Sequence, residues 1–248
     1  MASHFSDLGF RFSEENFPEE FMKMVEKAAQ ASAEDVYANG KRYLKICIDD
    51  AIEFWFPAGE DDRLEFGRFE FHYNTDRWDD VIEPEWIERT PDSMQGLASF
   101  WDVEDNHPMN AYIPNAACAP DFVEGKTYQA QVACLVETLE HYKSEADYYK
   151  HAESLDHRAF IPIGQFTSEE NAEQTPHALI NGVVKQVEKK VNSLHGGAYY
   201  HILLESFYMN FDLLADEVLF QEVPEVGDIL STGCYLTARL QNSSQNNK

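Results

Sequence analysis

KTYQAQVACLVET, residues 126–138, reads with a period of two: Tyr128, Ala130, Val132, Cys134 and Val136 share one parity. Successive side chains of an extended chain point to opposite faces, so this stretch predicts a long strand with one face committed to a core. Working outward, the same period returns downstream in Leu179–Val191, in Tyr199–Met209 after the hairpin-like turn His195-Gly196-Gly197, and in Ile229–Leu240. Upstream it governs Leu44, Ile46 and Ile48, then Ile52, Phe54 and Phe56 before Pro57 and the acidic turn Gly59-Glu60-Asp61-Asp62. Leu64 and Phe66 have the opposite parity to Phe69 and Phe71, with Gly67 at the switch, where a β-bulge reconciles them. Leu97–Val103 and Ala111–Ile113 read as further strands, and Phe160-Ile161-Pro162-Ile163 as an edge strand, because proline cannot donate to a central ladder.

Helical signals are few. Asn16-Phe17-Pro18-Glu19 reads as a helix start with a capping box, and Phe21, Met24, Val25, Ala28 and Ala29 follow at spacings of three and four. An amphipathic helix to about Ser32 is expected, its apolar stripe facing the core. Ser144–Leu155 reads as a short helix, and residues 74–96 as an acidic insertion with helical turns around Glu83–Glu88.

The expected class is therefore mainly β (α+β): one or two small antiparallel β-barrel or sandwich units with an N-terminal amphipathic helix. The expected division is an N-terminal helix plus an aromatic-rich acidic β domain over 1–157, a barrel-like domain over 158–240 and a disordered tail over 241–248. A shift of 102 residues lays Gly125 on Gly227, Ala111-Tyr112-Ile113 on Leu213-Leu214-Ala215, and Tyr128 through Val136 on Leu230 through Ala238, with parity kept. An internal repeat is an expectation from that match. Leu179–Leu240, about a quarter of the chain, loosely resembles part of an OB-type barrel. It has no diagnostic motif, so neither a family nor nucleic-acid binding follows from it.

With 44% hydrophobic and 13% aromatic residues among 248, the chain has the apolar surface for a core. Its 45 acidic and 19 basic residues give a net charge of −26, a field that repels phosphate backbones and anionic membranes. Asp49–Asp105 alone holds 18 acidic and 4 basic residues, a net of −14. Cys47, Cys118, Cys134 and Cys234 form no C-x-x-C pair, so reduced thiols in a cytoplasmic protein are expected, without zinc or a disulfide framework. Met1–Phe12 has no secretory pattern, and no apolar run approaches the roughly 18 residues that span a bilayer.

No G-x-G-x-x-G, P-loop, G-x-S-x-G or H-E-x-x-H occurs, and no cofactor is expected. His177, His195 and His201 flank the C-terminal strands without a nucleophile at readable spacing, and Lys185, Lys189 and Lys190 form one small basic group. Asp102, Glu104 and His107 could share a divalent cation near a strand end, as the centre of a metal-assisted hydrolase; an acidic loop in an acidic stretch is the better explanation, since no second cluster supplies the missing ligands. Trp55, Trp78, Trp86 and Trp101 all lie within that stretch, where aromatic rings rimmed by carboxylates would bind a basic protein. The expected function is thus non-catalytic protein binding through an acidic aromatic surface, with the metal hydrolase and an acidic mimic of nucleic acid as alternatives.

Overall fold

The computed structural model describes residues 2–13, 15–59, 65, 70–89, 94–102, 108–119, 121–123, 125–151, 155–163, 174–207 and 209–242. The chain is mainly β. After a 3-10 helix at Ala2–Leu8 and α1 (Phe17–Ser32), β1 (Ala33–Ala38), β2 (Lys41–Ile48), β3 (Ile52–Pro57) and β4 (Glu70–Tyr73) form an antiparallel meander. The remaining strands form one mixed sheet: β5 (Asp79–Arg89), β6 (Gly96–Asp102), β7 (Pro108–Ile113), β8 (Tyr128–Tyr142), β9 (Ala159–Pro162), β10 (His177–Val191), β11 (Ala198–Glu205), β12 (Asn210–Asp216) and β13 (Ile229–Asn242). A short helix α2 (Glu145–His151) follows β8.

Pairing closes this sheet twice. β8 and β13 run antiparallel from Tyr142–Ile229 to Tyr128–Asn242. One ring passes from β8 through β5, β6 and β7 back to β13, with β7 parallel to β13 at Tyr112 and Thr237. The other passes from β8 through β12, β11 and β10 to β13, with β12 parallel to β8. The two five-stranded rings share the β8–β13 pair. Closure removes unpaired ladder edges, leaving short β9 with Pro162 against β10. The position 157/158 falls between α2 and β9, and strands from both sides of it pair in this one sheet.

Parity decides which side chains fill the rings. Tyr128, Ala130, Val132, Cys134 and Val136 of β8 meet Leu230, Cys234, Leu236, Ala238 and Leu240 of β13 in one buried cluster, with Phe100, Ala111, Ile180, Ile202 and Leu213 from the other strands. The opposite face of the shared pair carries Ala133 and Leu135, which join a second core. There Phe5, Leu8 and Phe10, the α1 stripe of Phe21, Met24, Val25 and Ala28, and Leu44, Ile46, Phe54 and Phe56 of the meander pack together. The small sheet and the N-terminal helices are thus clamped onto the outside of the double ring.

Several local expectations need correction. Residues Glu83–Glu88 are strand, not helical turns: β5 pairs with both β6 and β8. Glu83 sits at φ 49°, and the register shifts between Ile82 and Glu85 and again between Trp86 and Glu88, so bulges hide the period of two. Asn16 makes no side-chain cap; Glu20 instead accepts hydrogen bonds from Ser13 N, at 3.0 Å, and Ser13 Oγ, at 3.2 Å. Gln241 and Asn242 complete β13 and do not belong to a tail. Leu64, Phe66, Gly67 and Phe69 lie outside the described residues, as do 243–248.

Candidate functional site

β6 and β7 present two kinds of face. Ala98 and Phe100 point inward with Met109, Ala111 and Ile113, all in the ring core. Leu97, Ser99 and Trp101 take the opposite parity and stand beside Tyr112, Asn110 and Pro108 in register. Gln174, just before β10, reaches this outward row, where Asn110 Nδ2 donates to its Oε1 at 2.7 Å. It divides the surface into two neighbouring depressions.

The shallower one, about 500 Å³, is lined by Glu85, Trp86, Ile87, Ser99, Trp101 and Pro108, with Gln174 on its border. Trp86 is braced beneath it: Phe122 stacks on its ring at 4.8 Å, and the Arg89 guanidinium lies 4.5 Å from the ring centroid. Its buried indole N–H has no hydrogen-bond partner. Ile87 is 39% exposed and Glu85 is exposed. Two of the four sequence-selected tryptophans, Trp86 and Trp101, therefore converge on one surface.

The other two do not reach it. Trp55 is 4% exposed, packed with Tyr43, Met94 and Ala117. Its Nε1 donates to Glu53 at 3.3 Å, and Lys45 lies over its ring at 5.5 Å. Trp78 is half-buried with Arg239 over its ring at 6.0 Å. Both belong to a buried polar network centred on Glu53, which pairs with Lys45 at 2.6 Å and Arg239 at 3.4 Å and accepts from Asn74 at 2.9 Å. Burial pushes the Glu53 carboxyl up, but these donors outweigh it and hold it below the usual range. Neighbouring His72 faces Thr237 Oγ1 at 3.1 Å; burial drives its pKa down to about 4, so its ring is neutral.

The second depression, about 300 Å³, was not legible in the sequence. Tyr112 and Tyr235 wall it, with ring centroids 5.8 Å apart, and Glu88, Gln95, Thr175 and His177 complete its rim. The Tyr112 hydroxyl lies 2.5 Å from Glu70 Oε2 and 2.6 Å from Gln95 Oε1. One phenol proton cannot serve both acceptors. A protonated Glu70 donating to the phenol oxygen resolves the conflict, as does a Gln95 amide turned end for end. Burial indeed raises the Glu70 pKa to about 7, and burial together with Glu70 raises that of Tyr112. His177 pairs with Glu137 at 3.4 Å and packs against Tyr235. The available sequence signal was parity: Tyr112 and Tyr235 are large aromatics on the faces opposite their core-directed neighbours.

Of the residues considered for a metal, Asp102 ends β6 opposite Val81, while Glu104 and His107 lie outside the described residues. Among the described residues no group of three or more His, Cys, Asp or Glu is arranged to hold a metal ion. Among the described residues no helix is long and apolar enough to cross a membrane. Comparison with protein-family models, curated proteins and solved structures finds no match to the chain.

Proposed function

We propose that this chain is a non-catalytic binding protein that docks a basic protein partner on the outer face of β5–β7. The observation that carries this reading is the convergence of Trp86, Trp101 and Ile87 with Glu85 on one open depression, beside a tyrosine-walled cleft, in the most acidic part of the chain. Aromatic rings supply desolvated contact area, and the Glu85 and Glu88 carboxylates beside them steer and select a cationic surface. Nucleic acid does not fit this field. A cytoplasmic setting belongs to the same reading, supported by four free thiols.

The reading also includes an internal duplication, in which β5–β8 correspond to β10–β13. Its support is in the ladders: under the 102-residue shift, the parallel contact of Tyr112 with Thr237 becomes that of Leu214 with Leu135, which is a pair in β12 and β8. An OB-type kinship has only the five-strand closure in its favour.

The test is affinity capture from native extract at low and moderate salt, comparing the tagged chain with Trp101→Ala and identifying retained proteins by mass spectrometry. A basic protein that is released by salt and not retained by a folded Trp101→Ala variant is the expected result. Equal retention by the variant, or none by either chain, overturns the proposal.

A further inference from the structure

Five cationic side chains among the described residues stand over aromatic rings: Lys45 on Trp55, Arg89 on Trp86, Lys189 on Tyr200, Lys190 on Tyr73 and Arg239 on Trp78. Each also pairs with a carboxylate, in the same order Glu53, Asp121, Glu217, Glu188 and Glu53. The combination follows from electrostatics, since the negative ring face and the carboxylate both attract the cation, the carboxylate balancing its charge and the ring covering its flat or apolar side. The cleft beside the packed Tyr112–Tyr235 pair, whose ring centroids are 5.8 Å apart, has the same two components. Two aromatic rings wall it, Glu88 stands on its rim, and the Glu70 carboxyl is bonded to one of the phenols. Among the described residues no Lys or Arg lines it.

We propose that this cleft receives an arginine side chain from the protein partner, the cation that the chain supplies for itself at the other five sites. The inference rests on the acidic face being a docking surface and names what that surface grips. Arginine fits better than lysine because its flat guanidinium stacks on a ring while directing two N–H groups at one carboxylate. The Arg89–Trp86–Asp121 group shows the stacked part of this geometry in the same sheet, with the guanidinium 4.5 Å from the ring centroid, Nη1 3.0 Å from the carboxylate and Nη2 donating to Ala119 O at 3.2 Å. At about 300 Å³ the cleft suits one extended side chain and excludes a folded element.

The probe is acetyl-Gly-Arg-Gly-amide, titrated at pH 8 and low salt into the full-length protein and followed by amide and aromatic-ring NMR. Its citrulline and lysine counterparts are titrated in parallel, as is a longer Arg-rich, Leu-containing peptide. The arginine tripeptide is expected to shift Glu88, Tyr112 and Tyr235 signals, and citrulline is expected to leave them unmoved. Glu88→Gln, on the exposed rim, weakens binding about fivefold to tenfold, and Thr175→Lys, which places a cation on the cleft wall, abolishes it. Equal binding of the lysine tripeptide overturns the guanidinium assignment. If the tripeptide leaves the cleft unmoved while the longer peptide shifts Ile87 and Trp101, the arginine site falls and the docking face stands. If neither surface responds to any peptide, both fall.

Discussion

Glu70 illustrates how one buried carboxyl ties the cleft to pH. Its pKa rises from 4.5 to about 7 on folding through burial, with Tyr112 opposing in part, so between those values the folded chain binds a proton that the unfolded chain has released. Its contribution to stability is therefore present at low pH and is lost as pH rises through about 7. Urea unfolding should show Glu70→Gln to be more stable than the native chain at pH 8, with the difference closing toward pH 5. His72 runs the other way. Burial lowers its pKa to about 4, so its contribution is full above the ordinary imidazole value and fades as pH falls toward 4. Nitrogen-detected NMR should find its ring neutral at pH 5; a protonated ring there would contradict the burial described.

At the scale of elements, attachment of the small sheet to the double ring depends on a few polar and steric joints. Glu53 on β3 holds Arg239 on β13 and Lys45 on β2 in a buried setting. Removing one partner of such a group strands the remaining charges, so Glu53→Ala should cost about 3–5 kcal/mol by chemical denaturation. Gly9 and Gly197 form the second joint: a Cβ on either would collide with the backbone oxygen of the other, and Gly9 has a φ of 75°. Gly197→Ala should cost about 1–3 kcal/mol, measured the same way, by pushing the N-terminal 3-10 helix off the β10–β11 turn. The strands that could be read were those with uninterrupted alternation and one buried face, as in Tyr128–Val136 and Leu44–Ile48. β5 escaped because its bulges reset parity, and β1 because most of its side chains are exposed. The cleft escaped for a different reason. Glu88, Gln95, Tyr112, His177 and Tyr235 come from separate parts of the chain and meet only through strand pairing. Composition alone could locate the acidic aromatic stretch. It could not separate Trp86 and Trp101, which reach the surface depression, from Trp55 and Trp78, which sequester internal cations.

For the molecule as a whole, the shared β8–β13 pair sets the order in which structure can form. Both rings need β13, and its partners β7, β8 and β10 lie before it in the chain. A chain ending at residue 228 should therefore lose cooperative unfolding altogether rather than keep one intact ring, a result that calorimetry would read directly. The same arrangement bears on biosynthesis. During translation, each finished ribbon of one ring must wait with its ladder open until the last strand emerges and locks both at once. That long interval of incomplete pairing keeps apolar strand faces exposed in the nascent chain until β13 is made.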